Sequence, residues 1–164
     1  MTSTPPPRLD AKRDLPAYRA RHGRFDLVDV PPMRFLQVDG AGDPNTSPAY
    51  EAALEALYPF AYRLKFRSKR ELGRDYVVPP LEGLWWAGDM DAFTSRRDKD
   101  RWQWRMMLMT PPWLTGEDVE AVRGDLLARL GGTDGARAAF RRAADLAENG
   151  VERAHLLRRA DELE

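Results

Sequence analysis

Apolar and polar positions alternate with a period of two over residues 33–39, where Met33, Phe35 and Gln37 interleave with Arg34, Leu36 and Val38. That spacing predicts a β-strand, and the turn-forming residues 40–45 end it. Ser47 can accept from early helix amides, and Pro48 suits a first helical position, so a helix is expected to begin there. Tyr50, Leu54, Leu57, Ala61 and Leu64 recur at steps of four and three, giving one core-facing stripe that runs to about Arg70. Pro59 lies inside this stripe and, without an amide donor, is expected to kink or restart the helix.

Alternation then returns. Residues 75–78 read as a short strand and residues 81–88 as another or its continuation, the prolines between them suggesting an edge or a bend. The charged stretch "DMDAFTSRRDKD" reads as a hairpin connection. The strand that follows, "RWQWRMMLMT", sets Trp102, Trp104, Met106 and Leu108 on one face and Gln103, Arg105, Met107 and Met109 on the other. Thr115 offers an N-cap with Asp118 in the third helical position, ahead of a stripe through Val119, Val122, Leu126, Leu127 and Leu130, and Gly131 and Gly132 close that helix. The remainder, rich in Ala, Arg, Leu and Glu, predicts two short amphipathic helices broken at Asn149 and Gly150.

Composition narrows the picture. At 164 residues the chain is sized for one domain, and 43% hydrophobic with 32% charged residues is a globular balance. No apolar run approaches the roughly 20 residues of a membrane helix, so no membrane partner is expected. Basic and acidic side chains number 26 each, which leaves no global field toward nucleic acid. The absence of Cys removes thiolate nucleophiles and sulfur-based zinc sites and fits a cytoplasmic location. His22 and His155 lack ligand-spaced neighbours, and "GAGDPN" lacks the ending of a phosphate-binding loop, so neither metal nor cofactor is expected. "SRRDKDRWQWR" mixes basic and aromatic residues as a nucleic-acid surface might, but Asp98 and Asp100 favour a solvated loop.

The order strand, helix, strand, strand, with "YPFAYRLKFRSKR", "YVVPPLEGLWWAGD" and "RWQWRMMLMTPPWLT", resembles the GyrI-like small-molecule-binding proteins, and their stand-alone branch in particular. The resemblance implies an α+β fold, an antiparallel sheet with helices on one face. It divides the chain into a flexible leader at 1–14, a GyrI-like module at 15–130 and a helical extension at 131–164 that would connect to a second module. That second module, which in the family completes a concave ligand-binding cleft, would begin about where the sequence stops at Glu164. Two copies of the chain are therefore expected to associate as a homodimer and rebuild the cleft. The family implies binding of aromatic small molecules. Some stand-alone members are hydrolases that open the cyclopropane ring of DNA-alkylating antibiotics.

The candidate site residues follow. Trp85 and Trp86 must point to opposite faces of a regular strand, so one can line a ligand surface while the other enters the core. Trp102 and Trp104 form an aromatic platform if their face is open, and an ordinary buried strand face with Met106 if it is covered. Tyr58, Tyr62 and Lys65 share a helix face and could bring two hydroxyls and an ammonium to a pocket rim, or pack their stems with polar ends in solvent. Glu82 is the one acid in the apolar run 77–87. Burial near aromatic rings would raise the pKa of such a carboxylate and suit it to act as a general base, with Tyr62 polarising a substrate carbonyl. The plainer alternative is a structural hydrogen bond. The functional expectation is binding of hydrophobic aromatic or cationic small molecules, for drug sequestration or detoxification. The alternatives are a cyclopropane-opening hydrolase and a non-catalytic interaction protein.

Overall fold

The computed structural model describes residues 7–163. Its regular elements are α1 (Ala11–Asp14), β1 (Arg34–Ala41), α2 (Pro48–Glu71), β2 (Glu82–Trp86), β3 (Gln103–Thr110), α3 (Gly116–Arg129), α4 (Thr133–Leu146) and α5 (Gly150–Asp161). The fold is α+β. β3 is the central strand of a three-stranded sheet and pairs antiparallel with β1 on one side and β2 on the other.

Register decides which residues share a face, because directly opposed residues on paired strands project the same way. Leu36 stands opposite Leu108, Val38 opposite Met106, and both Gly40 and Trp85 opposite Trp104. This face is covered by α2, whose Ala53, Leu57 and Ala61 pack on Trp104, Met106 and Leu108. Trp104 is 0% exposed. Its indole Nε1 has no hydrogen-bond partner among the described residues, a cost of about 1–3 kcal/mol for a buried polar group. Burying the ring itself is worth about 4–6 kcal/mol, so burial wins. The fit requires Gly40, since a Cβ there would lie 2.1 Å from the far edge of the Trp104 ring.

Local chemistry departs from the sequence expectations at several points. α2 continues through Pro59 without restarting, and Ser47 donates its hydroxyl to the Ala41 carbonyl (3.3 Å) instead of capping helix amides. Residues 75–78 do not form a ladder strand. Tyr76 makes a single parallel bridge to Leu9, with Leu9 N donating to Asp75 O (3.1 Å) and Val77 N to Leu9 O (2.8 Å). Pro79 and Pro80 have no amide hydrogen to carry that pairing further. The same bridge ties down the later part of the expected leader, where Ala11 is buried, while residues 1–6 lie outside the described residues.

The C-terminal helices start and stop where their caps direct. Asp118 Oδ2 accepts from Thr115 N (2.9 Å) at the start of α3, Gly131 turns the chain at φ 77°, and Asn149 accepts from Glu152 N (2.7 Å) to begin α5. α3, α4 and α5 pack through small residues, Ala121, Ala136, Ala143 and Ala160 among them, around Phe140 and Leu156. One buried cation joins this layer to α2. Arg67 bonds Asp118 Oδ1 through Nε (2.9 Å), Glu71 Oε2 through Nη1 (2.5 Å) and Glu152 Oε1 through Nη2 (3.3 Å). Nearby Glu117 has its pKa raised by burial first, and then by the negative charges of Glu152 and Asp118.

Two outcomes follow. Gly40→Ala should destabilise the chain by about 1–3 kcal/mol in urea denaturation, the sign opposite to the usual gain from removing a strand glycine, because the added methyl enters the Trp104 ring. Glu117→Gln should raise the melting temperature at pH 7. A raised folded-state pKa means that ionising Glu117 costs stability as pH rises, so the gain should vanish below the ordinary carboxylate range, a trend that calorimetry across pH would check.

Candidate functional site

The sheet face turned away from α2 carries the polar half of the alternation. β2 contributes Glu82, Leu84 and Trp86, and their partners on β3 are Met107, Arg105 and Gln103. β1 adds Gln37 opposite Met107 and Asp39 opposite Arg105. Trp86 donates from Nε1 to Gln103 Oε1 (2.6 Å), which fixes the indole beside the strand. Arg105 forks onto Asp39 through Nε (2.6 Å) and Nη2 (2.7 Å), and this pairing holds the Asp39 carboxyl below its ordinary pKa.

At the Glu82 end the face is flanked by the segment 16–33, which leads from a short turn at Pro16–Tyr18 into β1. A cavity of about 520 Å³ opens there, with Ala17, Val30, Met33 and Phe35 as apolar walls and Glu82 and Tyr18 as polar members. The Tyr18 hydroxyl donates to Glu82 Oε1. Burial first, and then this bond to a carboxylate, pushes the Tyr18 pKa up, so the phenol stays protonated and keeps its role as donor. The arrangement offers an anionic acceptor beside apolar surface, with an aromatic ring one strand-face repeat beyond Leu84.

The structure divides the expected site residues between two sides of the sheet. Trp86 is on the open face at 38% exposure, and Trp85 is on the helix face, between Tyr50 (ring centroids 6.0 Å apart) and Trp102 (5.8 Å), but at 36% exposure it does not enter the core as expected. Trp104 and Met106 are interior, so they form the covered strand face and not a platform. Trp102 precedes β3, stacks on Phe93 at 4.7 Å and donates from Nε1 to the Ala92 carbonyl (3.0 Å). Tyr58 and Tyr62 lie exposed on α2. Lys65 turns away from them into an ion pair with Asp75, whose pKa is lowered by that bond.

Tyr62 and Glu82 are therefore not brought together: one sits on the helix that covers the sheet, the other on the uncovered face. The residue that does meet Glu82 is Tyr18, 64 positions away in sequence. Its only signal in the chain is an aromatic ring amid the charged stretch "LPAYRARH", which predicts no partner. Arg105 and Asp39 were legible as polar strand positions, though not as a pair.

No protein-family model matches the chain, and no curated protein does. Solved structures are similar to it. An uncharacterized conserved protein from Listeria innocua is 33% identical with a TM-score of 0.65, the match covering 74% of this chain and 60% of that one. Two structures described as hydrolases from the same organism are also similar. One is 34% identical with a TM-score of 0.59, over 78% of this chain and 63% of that one, and the other is 34% identical with a TM-score of 0.64, over 76% and 61%. The chain thus spans about 60% of the length of the structures it matches.

The separation of Tyr62 from Glu82 has a direct check. In a double-mutant cycle of Tyr62→Phe and Glu82→Gln, the unfolding free-energy changes should add to within about 0.5 kcal/mol, as expected for sites without shared partners. Urea denaturation of the two single variants and the double variant measures it.

Proposed function

We propose that the chain is a GyrI-like ligand-binding module that takes hydrophobic aromatic or cationic small molecules on its open sheet face, for sequestration or detoxification. The observation that carries this reading is the half-buried carboxylate of Glu82 at the mouth of an apolar-walled cavity, on the same face as Trp86 and Leu84. A cation placed there finds a charge-assisted acceptor, and a planar body finds an aromatic ring and aliphatic surface to lie on. Both sheet edges, β1 and β2, carry unpaired backbone groups. Self-association of two copies would cover these edges and supply the second wall of a cleft. Nothing in the reading calls for nucleic acid, a membrane or a cofactor.

A second reading, hydrolysis, is favoured by the hydrolases among the similar structures. For a cyclopropane conjugated to a carbonyl, Glu82 would accept a proton from water as its oxygen bonds to the ring carbon. The ring bond would break with its electrons passing to the conjugated carbonyl. Tyr62, on the helix side, is left out of that scheme.

The readings separate in one titration series. A planar cationic dye should quench Trp fluorescence without being consumed, and Glu82→Gln should weaken its binding by about tenfold or more, the loss expected for a hydrogen bond to a charged group. A neutral dye of the same shape should be little affected by the substitution. Turnover of a cyclopropane-bearing compound that disappears in Glu82→Gln would establish the hydrolase instead, and binding of neither dye would leave the interaction-protein alternative.

A further inference from the structure

The segment 16–33 does more than lead into β1, because it delivers a side chain, Tyr18, that is hydrogen-bonded to the Glu82 carboxylate. We propose that Tyr18 is a positioning residue for Glu82: its phenol occupies Oε1, leaving Oε2 as the acceptor that faces a ligand in the adjoining cavity. The inference rests on the binding reading for the ligand's identity, but the hydrogen bond and its consequences for Glu82 do not.

The chemistry runs from the donor's nature. A phenol donates to the carboxylate oxygen it meets, so one oxygen of Glu82 is taken and the other is left as an acceptor. The ligand class this favours is one that presents a single N–H or O–H donor at the edge of an apolar body, such as a protonated amine. Carboxylates and pure acceptors are disfavoured by charge and by the lack of a donor. The apolar walls, Ala17, Val30, Met33 and Phe35, would take the rest of the ligand.

Across the face from Glu82 stand uncharged Met107 and Gln37, and the next cross-strand row holds Arg105 and Asp39, already bonded to each other. Pro80, which lines the cavity beside Glu82, brings no charge. Tyr18 is thus the neighbour whose removal acts most directly on Glu82.

The test uses the ligand-free chain first. The Tyr18 Cζ NMR signal, assigned by its loss in Tyr18→Phe, should shift in Glu82→Gln, where its partner is no longer a carboxylate, and a Tyr18 signal indifferent to Glu82 overturns the proposal. The planar cationic dye is then added to the wild type and to Tyr18→Phe. Loss of the phenol donor should weaken dye binding by about three- to tenfold, the effect of one ordinary hydrogen bond. Unchanged dye binding in a folded Tyr18→Phe overturns the proposal, and the Tyr18 signal decides it if that variant does not fold. A Tyr18 signal that responds to Glu82 with no dye binding to the wild type keeps Tyr18 as the positioning residue and removes the binding reading. A responding signal together with dye binding that weakens in Tyr18→Phe supports both.

Discussion

The packing of Trp104 over Gly40 sets the orientation of everything else in the sheet. A ring of that size fits beneath α2 only where the neighbouring strand offers no side chain, and β1 provides that gap at Gly40. Once Trp104 is inside, alternation on the central strand leaves no freedom. Met106 and Leu108 follow it into the core, and Gln103, Arg105 and Met107 face outward. Pairing passes the same division to β2, so Trp85 goes with Trp104 and Glu82 and Trp86 go to the open side. A slip of one residue would exchange the two faces and put Glu82 under the helix. The chemistry of the open face is therefore a consequence of how the hidden face is packed.

Much of this was legible in the sequence. Period-two alternation identified β1 and β3, the Tyr50 to Leu64 stripe identified α2, and capping residues placed α3 and α5, because each signal is local and repeats within one element. That Trp85 and Trp86 face opposite sides of the sheet also follows from strand geometry alone, whereas their similar exposure does not. Alternation could not say which face α2 would cover, so Trp104 as core and Trp104 as platform remained equal in the pattern. That choice depends on Gly40, far away in sequence on a different strand. The long-range polar contacts were likewise silent: Tyr18 with Glu82, Lys65 with Asp75, and Arg67 with Asp118 and Glu152 each join residues whose local contexts give no sign of the partner.

The two layers of the molecule have different physical characters. The sheet and α2 enclose large rings and branched side chains, and the α3, α4 and α5 layer closes on alanines and on Gly124, where a Cβ would fall within 2.8 Å of three Phe140 ring carbons. Arg67 links them through carboxylates from three helices, a geometry that gives direction to a junction that apolar contact alone would leave free to slide. The sheet's outer face is on the side away from α2, the helix that carries Arg67.

The central claim is that the functional face is the one bearing Glu82 and Trp86. The five tryptophans give five indole N–H signals in an NMR spectrum: four from the environments described above and one from Trp113, whose N–H donates to Ser68 Oγ (2.9 Å). Titrating the planar cationic dye into the folded chain should displace the Trp86 signal, whose N–H bonds Gln103 on the open face, while the buried Trp104 signal stays in place. A dye that moves the signals of Trp85 and Trp102 and leaves Trp86 unmoved would put the binding surface on the helix side of the sheet and contradict the account.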